Sequence, residues 1–149
     1  MIEVIRRSDR IKIREKVEQF GIKIPIQYQL VRQSRDKIRI FTGNLGAQDL
    51  IRLNKIITID AIGLYFAFMK EKEFRLSFDA SILYGKNSKN FIELSEEEAK
   101  AWLKGEDIEK KTDKKGYFLV RYGGDILGCG KSNGEKLTNF VPKERRITI

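Results

Sequence analysis

The chain contains no histidine and only one cysteine among its 149 residues. Without histidine, the commonest general base is missing, and so are serine-hydrolase triads and histidine-ligated metal sites. A single cysteine excludes an intramolecular disulfide framework and any metal site built from several cysteines, and it fits a reducing cytosol. These absences argue against most hydrolases and metalloenzymes, and we expect a cytoplasmic protein that uses no cofactor.

Long apolar runs are also missing. The longest candidate covers residues 61–69 and is far shorter than the roughly 20 residues that a membrane-spanning helix needs. Near the N-terminus, Arg6, Arg7, Asp9 and Arg10 interrupt the apolar stretch that a signal peptide requires. The sequence therefore predicts no membrane partner.

Positive charge is abundant and concentrated at the two ends of the sequence. The formal net charge is +9, with 11 basic and 5 acidic residues in 1–40, and 10 basic and 4 acidic residues in 110–149. Residues 41–109 are mildly acidic, with 9 basic and 12 acidic residues. Because 41% of the residues are apolar, the chain can build a core, and its cationic surfaces favour a polyanionic partner.

The first half combines one predicted helix with predicted strands. Residues 8–20 have the pattern of an amphipathic helix, with Ile13, Val17 and Phe20 on one face and Ser8 or Asp9 available as its cap. Residues 28–32 and 38–42 are predicted to form a hairpin around a polar turn.

Residues 56–69 are strongly apolar and predict one bent strand or two consecutive strands. Asp60 interrupts this run as a lone carboxylate within apolar sequence, for which a capping or turn role is favoured over catalysis. The charged turn at residues 70–73 is taken as the boundary between two tightly packed subdomains.

The second half begins with a predicted helix over residues 77–84, capped by Ser77 and ended by Gly85. A polar loop with two lysines follows, and residues 91–94 predict a short strand. Ser95 and Glu98 then have the spacing of a capping box that opens another helix with Ala99, Trp102 and Leu103 facing inward. The clustered glutamates after Ser95 are thus explained by helix capping, and no metal role is assigned to them.

Residues 116–147 predict a three-stranded antiparallel meander with a basic end. Gly123-Gly124 and Asn133-Gly134 supply the positive φ angles of two tight hairpin turns, and the third strand is expected over residues 137–141. Pro142 ends this strand. Together with the preceding helix and strands, the order predicts an α+β fold with a small closed β-barrel in the second half.

Two motifs in this last stretch carry a family resemblance, VRYGGDILGCGK at residues 120–131 and L-x-N-x-x-P-K at residues 137–143. They resemble the PUA domain that closes the Nol/Nop/Sun (Fmu-type) RNA 5-methylcytosine methyltransferases. The resemblance extends upstream through FRLSFDASILYG and ELSEEEAKAWLKGEDI. More loosely, the whole chain is similar to the small ribosome-biogenesis protein called Nip.

The resemblance implies a PUA-like RNA-binding β-barrel over residues 73–149 and a pre-PUA-like α/β subdomain over residues 1–72. Enzymes of the Nol/Nop/Sun family also need a Rossmann-like domain for S-adenosylmethionine and a pair of cysteines. This chain is too short for that domain and has only Cys129, which is expected to be a small buried thiol. The resemblance therefore implies no catalytic residues here.

Charge and resemblance together nominate a set of RNA-binding residues. PUA domains grip RNA with the glycine-containing loop after their first helix and an adjacent strand, which implies the loop from Gly85 and the strand at residues 128–131. Exposed cations would neutralise phosphates and exposed aromatics would stack bases, with Tyr84 and Phe140 as further stacking candidates. The predicted RNA-binding residues are Gly85, Lys86, Lys89, Arg121, Tyr122, Gly130, Lys131, Lys143, Arg145 and Arg146.

The favoured hypothesis is a non-catalytic protein that binds structured rRNA or tRNA in ribosome biogenesis, rRNA processing or RNA modification. Two alternatives remain open: an accessory subunit that targets RNA to a separate methyltransferase, and a protein–protein adaptor. Ribosome-assembly factors or an RNA methyltransferase are the implied protein partners.

Overall fold

A computed structural model of the chain describes residues 2–25 and 27–148. Residue 1, where the first predicted subdomain begins, and residue 149, where the second ends, lie outside the described residues. Four α-helices and ten strands lie in the described residues. In chain order they are β1 (Ile2–Val4), α1 (Arg7–Glu18), β2 (Gln29–Gln33), β3 (Lys37–Phe41), α2 (Ala47–Ile56), β4 (Leu64–Lys70), β5 (Glu73–Leu76), α3 (Phe78–Tyr84), β6 (Phe91–Glu93), α4 (Glu96–Leu103), β7 (Ile108–Glu109), β8 (Gly116–Tyr122), β9 (Asp125–Ser132) and β10 (Lys136–Thr138).

The strands form two five-stranded sheets, which makes the fold α+β as predicted. The first has the order β1-β2-β3-β4-β5 and is antiparallel throughout. The second has the order β6-β8-β9-β10-β7, with β6 parallel to β8 and the other pairs antiparallel. The predicted meander is therefore the centre of the second sheet, and β6 and β7 are added at its two edges.

The core joins both halves of the chain. Its largest cluster combines Ile13, Leu30 and Phe66 from the first half with Leu119 and Cys129 from the second, all buried. A second cluster, centred on the fully buried Trp102, lies between α4 and the second sheet. None of the helices in residues 2–25 and 27–148 is long and apolar enough to cross a membrane.

Local capping signals predicted several elements correctly. The Ser77 hydroxyl accepts the Ala80 N–H at 3.1 Å at the start of α3. At α4, the Ser95 hydroxyl accepts the Glu98 N–H at 3.2 Å, and the Glu98 carboxylate accepts the Ser95 N–H at 2.9 Å. The predicted capping box is therefore confirmed, because each residue satisfies a backbone donor of the first turn.

The first helix was predicted at the correct position, but the residue predicted to cap it is wrong. Helix α1 starts at Arg7 and its N-cap residue is Arg6, which provides no side-chain capping bond. Ser8 and Asp9 lie inside the first turn, so neither is the cap. The predicted inward face is confirmed, since Ile13, Val17 and Phe20 are at most 3% exposed.

The apolar run over residues 56–69 was wrongly predicted as strand along its whole length. Its first residue ends α2, and β4 begins at Leu64. Gly63 separates the two parts with φ of +74°, and a Cβ there would collide with the Ile40 carbonyl oxygen, so only glycine fits. Asp60 is exposed rather than buried, so the burial expected from its apolar neighbours is also wrong.

The third strand of the meander is shorter than predicted. It covers Lys136–Thr138 instead of residues 137–141. Asn139 interrupts the ladder because its side chain bonds to several backbone groups of α4 and of its own segment. The proposed subdomain boundary at residues 72 and 73 falls in the turn between β4 and β5, two strands that pair in the same sheet.

Candidate nucleic-acid interface

The lysine-bearing loop after α3 is fixed to the end of α1. Gly85 closes α3 by donating its N–H to the Ser81 carbonyl at 2.9 Å. Ser88 is buried and donates its hydroxyl to the Phe20 carbonyl at 2.5 Å. Asn90 donates its side-chain amide to the carbonyl of Gln19. These bonds hold the loop in one place on the folded domain.

Lys86 and Lys89 project from this anchored loop. Both are exposed, and no carboxylate lies within 4 Å of either in the part of the chain that the structure describes. Lys86 lines an open depression of about 380 Å³ with Ile82 and Asp125. The loop therefore presents two cations that no internal ion pair neutralises. We call the surface formed by Lys86 and Lys89, with the β8–β9 turn that borders Lys86, the loop surface.

The end of β8 contributes two predicted residues. Tyr122 is 37% exposed beside the β8–β9 turn. Arg121 is held in place, because its Nε donates to Glu93 Oε2 at 2.8 Å and its guanidinium lies 3.6 Å from the centroid of the Phe91 ring. The hydrogen bond from Arg121 is the main reason that the pKa of Glu93 lies below its ordinary value. Tyr122 is thus available to a ligand, whereas Arg121 is already paired.

Lys131 is near the C-terminal end of β9. It is at the far end of β9 from Asp125, roughly 20 Å along the strand. Its Nζ contacts Glu73 Oε1 at 3.0 Å and lies 5.3 Å from the centroid of the Tyr117 ring. Hydrogen bonds from Tyr117 and then Lys131 hold the pKa of Glu73 below its ordinary value. Lys131 is thus at the opposite end of β9 from Asp125, which borders Lys86, and its charge is already paired with Glu73.

Gly130 is buried against the second core cluster. A Cβ on it would lie 2.7 Å from the Trp102 ring and 2.9 Å from the Leu137 side chain. The structure thus gives Gly130 a packing role in which any side chain would displace Trp102.

The three cations of the C-terminal tail have different environments. Arg145 contacts the Asp79 carboxylate at 2.6 Å, at the start of α3. Arg146 donates its Nε to the Val141 carbonyl at 3.1 Å and packs over Gly105. Lys143 is exposed, with no carboxylate within 4 Å among the described residues.

Comparison with known proteins identifies the region that carries most of these residues. Residues 89–147 match the family model described as the PUA domain of the methyltransferase RsmF. The chain carries a PUA domain of the RsmF type. The matched range contains α4, all five strands of the second sheet and eight of the ten predicted RNA-binding residues, whereas Gly85 and Lys86 precede it.

Relatives extend the similarity over most of the chain. It is 31% identical to the ribosomal RNA small subunit methyltransferase F of Shewanella oneidensis over 131 residues, 85% of this chain and 26% of that enzyme. The enzyme of the same name from Aeromonas hydrophila is 34% identical over 59% of this chain and 19% of its own length. The one from Aeromonas salmonicida is 28% identical over 89% of this chain and 26% of its own length. The chain thus spans about a quarter or less of each of these relatives, and the predicted resemblance to this family is confirmed.

Cys129 lies on the buried side of the PUA sheet. It is 3% exposed, and burial raises the pKa of its thiol to about 12. A nucleophilic cysteine needs a lowered pKa and access to its target. The prediction of a small buried thiol is therefore confirmed.

We expect Cys129 to react with Ellman's reagent at pH 8 at least about 100-fold more slowly in the folded protein than in urea, because native thiolate is scarce and shielded. An Asn87→Cys variant is the matched control, since Asn87 is exposed in the loop after α3. It should show one fast thiol when folded and two when unfolded. A fast second thiol in the folded variant would contradict the burial of Cys129.

Of the two other stacking candidates, Tyr84 belongs to the core. Its ring packs edge-on against Phe66 with 5.7 Å between centroids, and burial raises the pKa of its phenol. Phe140 is half-buried, and the Arg75 guanidinium lies 4.4 Å from its ring centroid.

Sequence reasoning missed Arg75, which is next to the PUA domain in space. Its guanidinium lies between the rings of Phe68, at 4.3 Å, and Phe140. The alternation of Glu73 and Arg75 with the buried Phe74 and Leu76 is a period-two pattern that indicates an outward side chain. The aromatic partners come from other strands, so the sequence pattern alone could not identify them.

Proposed function

We propose that this chain is a non-catalytic RNA-binding protein that uses the loop surface to bind structured rRNA or tRNA during ribosome biogenesis or RNA modification. The observation that carries the proposal is the anchored loop with two exposed lysines that have no carboxylate within 4 Å in the described residues, together with the exposed Tyr122 at the β8–β9 turn that borders Lys86. Unpaired cations can release counterions from phosphates, and an exposed ring can stack an unpaired base.

The wider evidence supports RNA as the ligand. The chain has a net charge of +9, and the relatives are named as methyltransferases that act on ribosomal RNA. The remaining predicted residues are supporting phosphate contacts in this proposal: Arg121, Lys131, Lys143, Arg145 and Arg146, with Gly85 and Gly130 shaping the backbone. We place this activity in the cytoplasm, as the single cysteine suggests.

The proposed architecture is an N-terminal pre-PUA-like subdomain, residues 1–72, packed on a C-terminal PUA-like β-barrel, residues 73–149. The shared core cluster supports tight packing of the two parts, because it joins residues of α1, β2 and β4 to residues of β8 and β9. The bonds from Ser88 and Asn90 to the end of α1 support it further, because they tie the proposed RNA-binding loop to the first half.

A double substitution, Lys86→Glu/Lys89→Glu, tests the proposal. Two lost phosphate contacts should weaken RNA binding roughly tenfold or more and reduce the slope of log K against log[salt] by about 2. The measurement is binding of labelled small-subunit rRNA fragments and tRNA over a salt series from about 50 to about 200 mM.

The matched control is Lys12→Glu/Lys55→Glu, which makes the same charge change at two exposed lysines of α1 and α2. It should lose much less affinity than the loop variant. Equal losses in both variants would mean that overall charge, and not the loop surface, drives binding. Absence of wild-type binding to either RNA would overturn the proposal in favour of a protein–protein adaptor.

A second candidate function is supported by the names of the relatives. Three of them are named as rRNA methyltransferases, and in this candidate the chain delivers RNA to a separate methyltransferase. Stoichiometric co-purification with such an enzyme would favour this candidate. Methyl transfer from S-adenosylmethionine to RNA by the pure protein would contradict the non-catalytic proposal itself.

A further inference from the structure

A groove lies between the first sheet and the C-terminal tail, at the end of α3 opposite the loop surface. Its volume is about 320 Å³, within the range of small-ligand sites. Three aromatic rings and three cations line it, namely Tyr65, Phe78, Phe140, Lys37, Arg75 and Arg145, together with the carboxylates of Asp79 and Glu144. We call this the tail groove.

The cationic side chains of the tail groove are only partly neutralised. Arg145 is paired with Asp79 at 2.6 Å. Lys37 and Arg75 have no carboxylate within 4 Å in residues 2–25 and 27–148. Lys37 lies 5.5 Å from the centroid of the Tyr65 ring. The groove therefore has one more cation than carboxylates in its lining, and Lys37 and Arg75 form no ion pair within 4 Å among the described residues, while the Arg75 charge also acts on the Glu73 carboxylate.

Arg75 is held rigidly enough to act as a recognition group. Its guanidinium carbon lies 4.3 Å from the centroid of the Phe68 ring and 4.4 Å from that of the Phe140 ring. These two contacts restrict the side chain, whose N–H groups are hydrogen-bond donors. An arginine fixed in this way loses little side-chain entropy on binding a phosphate.

Two aromatic side chains of the groove lining complete the site. Tyr65 and Phe78 border the same groove, and burial raises the pKa of the Tyr65 phenol, so its hydroxyl remains a hydrogen-bond donor at neutral pH. Aromatic walls beside fixed cations are how proteins hold unpaired RNA bases and their phosphates.

We propose that the tail groove binds one unpaired nucleotide of the RNA whose structured part contacts the loop surface. This inference rests on the proposed function. Helix α3 has 7 residues and separates the two sites by about 10 Å, a distance that about three stacked nucleotides span. The ligand is thus a stem with a short single-stranded extension.

The test compares two labelled RNAs, a blunt hairpin stem and the same stem with a tail of about four nucleotides, long enough to cross that separation. Wild-type protein should bind the tailed stem about tenfold more tightly, the usual effect of one stacked base. The Lys37→Gln/Arg75→Gln variant should lose this preference and bind the blunt stem as wild type does. Lys86→Glu/Lys89→Glu should weaken both RNAs and keep the preference.

The matched control is Lys12→Gln/Arg52→Gln, which removes one lysine and one arginine at exposed positions of α1 and α2. It should keep the preference for the tailed stem. If Arg75→Gln lowers the melting temperature, Lys37→Gln alone carries the comparison, because Lys37 is exposed.

The failures of the two proposals are distinguishable. Equal wild-type affinity for the two RNAs would overturn the tail-groove inference and leave the proposed function standing. Binding of neither RNA would overturn both. If a polyglutamate peptide binds the wild type and not Lys37→Gln/Arg75→Gln while the RNA preference is unaffected, the groove is an acidic-peptide site and the inference is wrong.

Discussion

Replacing Trp102 with alanine is expected to lower the free energy of unfolding by about 3–5 kcal/mol. Trp102 is fully buried, and its indole N–H donates to the Leu127 carbonyl at 2.8 Å. Gly130 lies directly against the ring and has no side chain that could fill the space. The substitution therefore removes buried apolar surface, creates a cavity and leaves the Leu127 carbonyl without its indole donor.

Urea unfolding followed by circular dichroism measures this loss, since Trp102 is the only tryptophan and its fluorescence disappears with it. Trp102→Phe is the comparison variant. It keeps most of the apolar burial but cannot donate to Leu127, so its loss should be smaller, about 1–3 kcal/mol. A loss below about 1 kcal/mol in the alanine variant would show that α4 contributes little to the stability of the second sheet.

Asn139→Ala is expected to cost about 2–4 kcal/mol, a large effect for a residue outside regular structure. The Asn139 amide donates to the Trp102 and Glu106 carbonyls at 2.7 and 2.9 Å, and its oxygen accepts the Val141 N–H at 2.7 Å. Removing the side chain leaves the Glu106 carbonyl and the Val141 N–H without this partner, whereas the Trp102 carbonyl still accepts the Gly105 N–H at 3.0 Å. The L-x-N-x-x-P-K motif thus has a structural basis, because this asparagine ties the tail to the end of α4.

The same urea titration tests this prediction. Asn87→Ala is the matched control, because Asn87 is exposed in the loop after α3 and its loss should stay within about 0.5 kcal/mol. Equal losses in the two variants would contradict the anchoring role. Because Asn139 bonds to Trp102 itself, combining Asn139→Ala with Trp102→Ala should cost less than the sum of the two single losses.

The elements that the sequence predicted correctly depend on signals between neighbouring residues. Ser77 and Ser95 cap their own helices, and turns form at Gly123-Gly124 and Asn133-Gly134, with positive φ at the three glycines. Such signals act over three or four residues, so they are visible without tertiary information.

Helix α2 was missed because its apolar pattern does not describe a single buried face. Only Leu50 is buried, whereas Ile51 and Ile56 are 37% and 79% exposed. The isoleucines at residues 56–59 favour strand by intrinsic propensity and obscured the helix end. Contact with the first sheet stabilises α2 instead, since Leu50 packs with Ile2 and Val31. Tertiary packing overrode local preference here.

The candidate site likewise has features that the sequence determined and features that only the tertiary structure decided. The sequence by itself determined the excess of cations, the absence of histidine, and the order of loop, helix and hairpins that resembles a PUA domain. Only the tertiary structure decided which cations remain free. Lys131, Arg121 and Arg145 are paired with Glu73, Glu93 and Asp79, partners 28 to 66 residues away in the sequence. Lys86 and Lys89 meet no carboxylate in the described chain, because ion pairing depends on which distant side chains the fold brings together.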